Sequence, residues 1–473
     1  MDTAPAGACW LDRAPIRRIV LALALVTGGL IATRLLPIAD RLSLDPNEGW
    51  NAFQAVAAMG AGPLYPPPGA LVSNNYPPLS FYLVGALGEG LGDMILAGRI
   101  VALASLLAVA GLVALIARRL TGHRLAAAVG ALAVLLFAAS VFRGYLAMND
   151  PQWLSLALSM AGLAAVLWPA TGRLSLGAAI CSALLMGAAL LVKHNALAIP
   201  AAAALYLLLH DRRSFAVWVA LGLAVLPALW LLDRMVFEGA MIADITGAPR
   251  SYSLHRMALH AVIGVLFLPL LAASWRLLAW RRIDRRGDAI LAGVAIATAL
   301  AVVQGSGAGV DVNAWFEALA MAALALGAGL DAPVPPVRAE RWAPLLVGLV
   351  ALVLVAFGIV ASAQELGSRS ERLAASADAV ARVAALPGPV ACEVQALCYW
   401  AGKGFALDYF LYGERIRQTG STVALDRALA ERRIAAALIE GPADRVLPPA
   451  QAHILSRMRV VHVAAERRLA VLP

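Results

Sequence analysis

Long apolar runs separated by short polar segments follow one another along most of the chain. A helix needs about 20 apolar residues to cross a bilayer, so the runs of that size predict about eleven membrane spans. They lie near 16–36, 95–117, 125–142, 152–169, 174–192, 196–209, 215–232, 257–275, 289–304, 314–330 and 342–362. The predicted fold is a mostly α-helical, polytopic membrane bundle.

The longest segment between two predicted spans, 37–94, contains two shorter helical patterns. Glu48–Met59 has apolar residues at helical spacing, and Pro78–Leu91 is apolar but too short to cross a bilayer. Both patterns are typical of helices that lie along the membrane surface, with tryptophan and tyrosine at headgroup level. The loop between them is proline-rich, which favours a rigid connection.

The segment after the last predicted span is much more polar and is long enough to form a small domain. We therefore divide the chain into a membrane module, residues 1–362, and a C-terminal domain, residues 363–473. Short β-like runs alternate in the C-terminal domain with helical patterns, which predicts a small α/β fold. The predicted strands are Pro389–Glu393, Ala435–Glu440, Arg459–Val463 and Arg468–Leu472, and the predicted helices are Glu371–Ala385, Leu425–Glu431 and Ala450–Arg457.

The composition agrees with a membrane protein and excludes several classes. Apolar residues make up 61% of the chain and charged residues 14%, which is outside the usual range of a water-soluble enzyme. The four cysteines form no CxxC or Cys/His cluster, so neither a zinc domain nor a disulfide scaffold is predicted. Cys392 and Cys398 either form a disulfide or stay a free, buried pair. No nucleic-acid partner is predicted.

The distribution of lysine and arginine predicts the orientation in the membrane. If the N-terminus is cytoplasmic, the inner loops hold 16 of the 38 basic residues, the longer outer loops hold 8, and the C-terminal domain holds the other 14. Basic residues favour the cytoplasmic side, so this orientation is the preferred one. An odd number of spans then places the C-terminal domain outside, in the periplasm of a bacterial inner membrane.

Polar and ionisable side chains collect at the predicted outer ends of the spans. Ionisable groups at membrane depth are costly and usually functional, so a cluster of both signs at one face predicts a site there. Lys193, one of only two lysines in the chain, lies between two apolar runs and suits an anionic group. The alternatives for Lys193 are snorkelling to the interface or an ion pair with Asp150 or Glu48.

The acidic residues of this cluster also have structural interpretations. Asp45 and Glu48 match a capping box, and Asp150 before Pro151 matches a helix N-cap. The i,i+4 pair Asn313 and Glu317 either lines the cavity opposite the acids or makes a polar contact between helices. His255 and Arg256 belong either to the site or to the membrane interface.

Five segments, in this order, resemble the GT-C superfamily of membrane glycosyltransferases. They are NEGWNAFQA, NNYPPLSFYL, MNDPQWLSLAL, LLVKHNALAIP and VDVNAWFEAL. The resemblance is to the bacterial family 39-like group, which is related to protein O-mannosyltransferases and lipid A aminoarabinose transferases, and VACEVQALCYWAGKGFALDYF is similar to the outer domain of that group. The family usually has Asp-Glu directly before the glycine. Here the pair is Asn47-Glu48, and the nearest aspartate is Asp45.

This resemblance implies transfer of a sugar, with inversion, from a polyprenyl-phosphate donor to a hydroxyl or amine of an envelope lipid, glycan or protein. Glu48 or Asp45 is the expected general base, and Asp150 is expected to orient the acceptor or to bind a metal. Lys193, His194, Arg256 or a divalent cation such as Mg²⁺, Mn²⁺ or Ca²⁺ would neutralise the donor phosphate. The remaining candidates for substrate binding are Asn47, Tyr76, Asn149, Asn195, His255, Asn313 and Glu317.

Two other functions compete with this one. A transporter or lipid flippase would need polar groups through the membrane midplane and discontinuous helices in both halves of the chain. A scaffold or sensor would use the outer domain to bind a partner and would leave the acidic cluster without a role.

Overall fold

A computed structural model describes residues 14–67, 69–169, 174–281, 284–330, 342–441, 444–464 and 467–472. Helices are found in all eleven predicted spans. They are α1 (Ala14–Leu35), α4 (Met94–Thr121), α5 (Arg124–Ala139), α6 (Gln152–Leu167), α7 (Leu176–Val192), α8 (Ala198–His210), α9 (Arg212–Val236), α11 (Leu254–Arg281), α12 (Arg285–Gln304), α13 (Phe316–Gly329) and α14 (Trp342–Ala385). A short helix, α10 (Ala240–Gly247), follows α9.

The described helices differ in length. Seven are long and apolar enough to cross a membrane, counting α13 together with the 3₁₀ turn before it. The other four predicted spans, α5 to α8, are helices of 16, 16, 17 and 13 residues. The main hydrophobic core lies where α13, which is buried along its whole length, packs among α4, α5, α11 and α12. The bundle is therefore built around one central helix.

The first outer loop contains the two helices that the sequence predicts, α2 (Asn47–Val56) and α3 (Leu79–Leu91). Every residue of α2 from Glu48 to Ala55 is buried, so protein covers this helix, and its position along the membrane surface stays a prediction. The C-terminal domain covers this helix, and the indole Nε1 of Trp50 donates a 2.9 Å hydrogen bond to Asp408 in that domain. α3 keeps an exposed apolar face, as expected of a helix at the bilayer surface.

The C-terminal domain has one four-stranded sheet in the order β1-β2-β4-β3. Its strands are β1 (Val390–Cys392), β2 (Ala436–Glu440), β3 (Arg459–Ala464) and β4 (Arg467–Val471), and its helices are α15 (Gln395–Trp400), α16 (Tyr409–Thr419), α17 (Val423–Ala430) and α18 (Pro449–Arg457). β1 and β2 pair in parallel, and the other two pairs are antiparallel. The four predicted strands are confirmed, whereas α15 and α16 were not predicted.

Helix α14 runs without a break across the predicted boundary between residues 362 and 363. Beyond this point it follows the first outer loop, where Arg369 pairs with Asp40 at 2.8 Å and Ser376 donates to the carbonyl of Arg41. The division at 362/363 stays a prediction. In the structure, the sheet begins only after the end of α14.

Cys392 and Cys398 form a disulfide, which decides between the two alternatives that the sequence left open. The bond joins the end of β1 to α15, the helix that covers α2.

Gly49 allows α15 to approach α2. A Cβ atom at this position would lie 2.0 Å from the backbone nitrogen of Ala396, which no side chain can tolerate without a shift. Replacing Gly49 by alanine is therefore expected to destabilise the docked domain by about 1–3 kcal/mol, measured by unfolding in detergent. Gly90→Ala in α3 is the matched control, because a Cβ there meets nothing within 4 Å. An equal loss of stability in both variants would contradict the conclusion that Gly49 allows α15 to approach α2.

Candidate active site

A cavity of about 580 Å³ lies between one end of the helix bundle and the C-terminal domain. The membrane module contributes its polar loops to one wall, and the C-terminal domain contributes α16 and the loops around it to the other. The polar side chains that line the cavity are Asp45, Asn47, Asn51, Asn75, Tyr76, Tyr145, Arg250, Asp311, Glu393, Gln395, Asp408, Tyr409, Arg417, Arg445 and Gln451. Carboxylates and guanidinium groups are thus present in the same cavity.

Asp45 is the predicted acid that lines this cavity. Its Oδ1 accepts a 2.8 Å hydrogen bond from the backbone N–H of Asn47, which orders the turn that opens α2. Its Oδ2 has no hydrogen-bond partner among the residues that the structure describes. Burial raises the pKa of Asp45, the Asn47 N–H lowers it, and the nearby carboxylates of Asp150 and Asp311 raise it again. Asp45 thus combines a free oxygen with an increased affinity for a proton.

Glu48, which the resemblance gives the acidic role most directly, does not line the cavity. It is fully buried, and its Oε1 and Oε2 accept hydrogen bonds of 2.8 and 2.7 Å from the Arg99 guanidinium. The backbone N–H groups of Leu44 and Asn149 donate to the same carboxylate. Both oxygens are therefore engaged, and Glu48 holds the first outer loop in place.

Arg99 is the partner that sequence reasoning missed. Besides Glu48, it donates to the carbonyl oxygens of Ile38, Asp40 and Leu42 at 2.7–2.9 Å, and its side chain is 1% exposed. The available signal was its position inside the apolar run of α4, where an unpaired arginine would be costly.

Asn149 and Asp150 lie beside the cavity rather than in its wall. The side-chain nitrogen of Asn149 donates to the carbonyl of Glu48, and its carbonyl accepts from Asn51. Asp150 accepts from the backbone N–H of Gln152 at 2.8 Å but lies one residue before Pro151, which is the N-cap of α6. Both residues line a separate void of about 10 Å³.

Lys193 makes the ion pair that the sequence analysis kept as an alternative. Its Nζ is 3.6 Å from Asp150 Oδ1 and 4.9 Å from the centre of the Tyr76 ring. Lys193 is 3% exposed and does not line the cavity, whereas Tyr76 does. The Tyr76 ring therefore lies next to both the cavity and a buried ammonium group.

Glu317 and Asn313 do not form the opposite wall of the cavity. The two carboxylate oxygens of Glu317 accept from the backbone N–H groups of Ala198 and Ile199, at 3.3 and 3.0 Å. Glu317 therefore stabilises the N-terminus of α8. This is a polar contact between two helices, which the sequence analysis gave as the alternative to a role in the cavity. Asn313 lies in the 3₁₀ turn before α13, outside the cavity wall.

The remaining predicted residues also lie outside the cavity wall. Asn195 exchanges two hydrogen bonds with Gln304, at 3.1 and 2.9 Å, and Arg256 donates to the carbonyls of Ser251 and Ser306. His194 and His255 are exposed. The structure thus brings together Asp45, Asn47 and Tyr76 in the cavity wall and leaves the other ten predicted residues behind or beside it.

Several cavity residues were not predicted as part of the site. Arg250 lines the cavity on the side of the membrane module, and Tyr145 donates a 3.1 Å hydrogen bond to the cavity residue Asp311. From the C-terminal domain, Asp408 caps α16 through Leu411 N. The pKa of Asp408 is raised to about 6, because its burial outweighs the hydrogen bonds that it accepts. No sequence pattern connects these distant segments, since only tertiary packing brings them together.

The expected divalent cation finds no matching ligand set. Among the described residues, no three His, Cys, Asp or Glu side chains come together as a metal-binding group. Asp150, the predicted ligand, is engaged with Lys193 and Gln152. We therefore derive no catalytic step through a metal.

The helix bundle and the C-terminal α/β domain together have a fold that is also found in the solved structures of ArnT and AglB. ArnT from Cupriavidus metallidurans bound to undecaprenyl phosphate superposes with a TM-score of 0.64 at 17% identity, covering 94% of this chain and 97% of that chain. The apo structure of the same protein superposes with a TM-score of 0.64 at 16% identity, covering 96% of this chain and 97% of that chain. AglB from Archaeoglobus fulgidus, in complex with an inhibitory peptide and a dolichol-phosphate, superposes with a TM-score of 0.51 at 12% identity. This match covers 91% of this chain and 70% of that chain. No protein-family model and no curated protein matches the chain.

Proposed function

We propose that the protein is a membrane glycosyltransferase that moves a sugar from a polyprenyl-phosphate donor to a hydroxyl or amine acceptor. The observation that carries this proposal is the cavity between bundle and outer domain, which has a proton-accepting carboxylate, Asp45, and an arginine, Arg250, in one wall. Support comes from the fold, shared over nearly the full length with a structure that holds undecaprenyl phosphate.

Asp45 acts as the general base in this mechanism. It takes the proton from the acceptor as the acceptor oxygen or nitrogen attacks the anomeric carbon of the donor sugar. The bond between that carbon and the phosphate oxygen breaks, and polyprenyl phosphate leaves with the bonding electrons. The attack proceeds with inversion, because the acceptor approaches from the side opposite the phosphate.

Arg250 stabilises the phosphate as it leaves, since a guanidinium group matches the geometry of phosphate oxygens. Lys193 contributes from behind the Tyr76 ring, 4.9 Å from its centre, as a buried positive charge. We assign no phosphate contact to Arg256, because its Nε and Nη2 donate to Ser306 and Ser251 and it does not line the cavity.

We further propose that the cavity faces the periplasm of a bacterial inner membrane, with the N-terminus in the cytoplasm. The excess of basic residues in the inner loops, 16 against 8, supports this orientation. The acceptor is then an envelope lipid, glycan or protein.

The proposal is tested with purified protein in lipid, a pool of polyprenyl-phosphate sugars and a membrane extract. Mass spectrometry is expected to detect free polyprenyl phosphate together with a glycosylated acceptor. If the lipid-linked sugars cross the bilayer intact and no polyprenyl phosphate forms, the protein is a flippase. If neither occurs with any donor, the cavity serves a binding partner.

Arg250→Gln is expected to raise the donor KM by about tenfold, because a charged hydrogen bond contributes about 1.5–3 kcal/mol. Initial rates at varied donor concentration measure this effect. Arg124→Gln, at an exposed position at the opposite end of the bundle, is the matched control. An unchanged donor KM in Arg250→Gln would remove this residue from the phosphate site.

The rate is expected to fall as the pH decreases through the pKa of Asp45, because only the ionised carboxylate accepts a proton. Since the pKa of Asp45 is raised, the loss begins at a higher pH than for an ordinary aspartate. The pH profile of kcat/KM measures this, with Asp408→Asn as a control for the second titrating carboxylate of the cavity. A fall that disappears in Asp408→Asn would assign the titration to Asp408.

A further inference from the structure

A second cavity, of about 290 Å³, lies at the end of the bundle opposite the candidate active site. Helices α8 and α12 pack against each other in opposite directions. Near one end of this pair, Asn195 bonds to Gln304. At the other end, His210 approaches Asp288 to 3.6 Å, and His210 lines the second cavity.

Arg286 gives this cavity an unused hydrogen-bond donor. Its Nε and Nη2 bind the carboxylate of Asp284 at 2.9 and 2.7 Å. Its Nη1 is buried and has no hydrogen-bond partner among the described residues. Arg286 is 7% exposed, so the cavity contains a guanidinium edge that is shielded from bulk water. A buried charged donor without a partner is costly unless a ligand satisfies it.

The acidic side chains of the cavity are already satisfied. Asp284 is bound by Arg286, and Asp211 accepts hydrogen bonds from Leu174 N and from the N–H and hydroxyl of Ser214. The groups left to bind a ligand include Arg286 Nη1, the exposed Arg285 beside it, and His210 Nε2, which is buried without a hydrogen-bond partner among the described residues. Guanidinium donors of this kind bind phosphate oxygens, while the N-terminus of α12 itself is capped by Asp284.

The residues around the cavity are of the types that concentrate at the depth of lipid headgroups. Trp168, next to the cavity residue Pro169, is 47% exposed, and the Arg119 guanidinium lies 5.2 Å from the centre of its ring. Tryptophan concentrates at the membrane–water interface. The segment 276–286 contains five arginines and one acidic residue. Basic pockets between transmembrane helices are sites for acidic lipid headgroups.

We propose that this second cavity binds the phosphate of an anionic membrane lipid through Arg286 and Arg285, on the membrane face opposite the candidate active site. The ligand is a phosphodiester headgroup that enters between the ends of α8 and α12. This site is separate from the proposed glycosyl transfer and does not depend on it.

The test is native mass spectrometry of the full chain in detergent, titrated separately with phosphatidylglycerol and phosphatidylcholine. Phosphatidylglycerol is expected to bind more tightly, and Arg286→Gln and Arg285→Gln are each expected to weaken it by about fivefold or more. Arg124→Gln, an exposed arginine outside the cavity, is expected to leave binding unchanged. Arg285→Gln keeps the test decisive if Arg286→Gln does not fold, because Arg285 is exposed.

A parallel arm uses inorganic phosphate alone, followed by thermal stability. Stabilisation by inorganic phosphate that is lost in Arg286→Gln, without selective retention of phosphatidylglycerol, would overturn the lipid assignment in favour of a soluble phosphate. Equal retention of both lipids by all variants would overturn the site itself. Because these readouts measure binding, they are independent of whether the protein transfers sugars.

Discussion

Asp45→Asn is expected to lower kcat by about 10²–10⁴-fold, the usual contribution of a general base. Asparagine keeps the shape of the side chain and can still accept from Asn47 N through its amide oxygen, so the turn before α2 should persist. The amide cannot take a proton from the acceptor. We expect the donor KM and the unfolding temperature to stay close to those of the wild type, which separates a chemical defect from a structural one.

Glu89→Gln is the matched control for this change, because Glu89 is an exposed carboxylate of α3 in the same loop region and does not line the cavity. Asp45→Glu tests whether the position of the carboxylate matters, since the longer side chain keeps the carboxylate but moves it. Full activity in Asp45→Asn would exclude Asp45 as the base and direct attention to Asp311, Glu393 and Asp408, the other carboxylates in the cavity wall.

Glu48→Gln is expected to lower the free energy of unfolding by about 3–5 kcal/mol, because it leaves the Arg99 charge buried without a partner. The ion pair has side-chain exposures of 0% for Glu48 and 1% for Arg99, so water cannot replace the missing carboxylate. Activity should fall together with the folded fraction. Unfolding in detergent, followed by circular dichroism, measures this loss.

A double-mutant cycle gives the control for this prediction. Arg99→Gln alone removes the donors to three loop carbonyls as well as to Glu48, so it should also be strongly destabilising. The double variant should lose less than the sum of the two single variants, since neither charge remains unpaired. If the stability loss of the double variant equalled the sum of the two single losses, a direct ion pair would be contradicted. A stable Glu48→Gln enzyme without activity would restore Glu48 as a catalytic candidate.

The apolar pattern predicted the helices well, because a helix that is buried in lipid or in the bundle core must be made of apolar residues. Every predicted span contains a helix, and the four predicted strands are present. The sequence did not show that protein covers α2. Its tryptophan and phenylalanine pack against the C-terminal domain, where Trp50 meets Asp408 and Phe53 stacks on Phe405. Apolar residues at helical spacing do not reveal whether lipid or protein covers them.

The candidate site was predicted in part. The sequence pointed to one end of the bundle, and Asp45, Asn47 and Tyr76 line the cavity there. It could not distinguish Asp45 from Glu48, because that distinction depends on Arg99, which is 51 positions away from Glu48. It also missed the wall formed by the C-terminal domain, since contacts between Asp408 and the first loop arise only when the chain folds.

The measurement that tests the central claim most directly is the release of polyprenyl phosphate by wild type, Asp45→Asn and Glu48→Gln, each corrected for its folded fraction. The wild type is expected to release polyprenyl phosphate in equal amount to the glycosylated acceptor, and Asp45→Asn is expected to lose this release at unchanged stability. Folded Glu48→Gln should retain release. Undiminished release by Asp45→Asn, with loss confined to fully folded Glu48→Gln, would contradict the account and assign the chemistry to the buried ion pair.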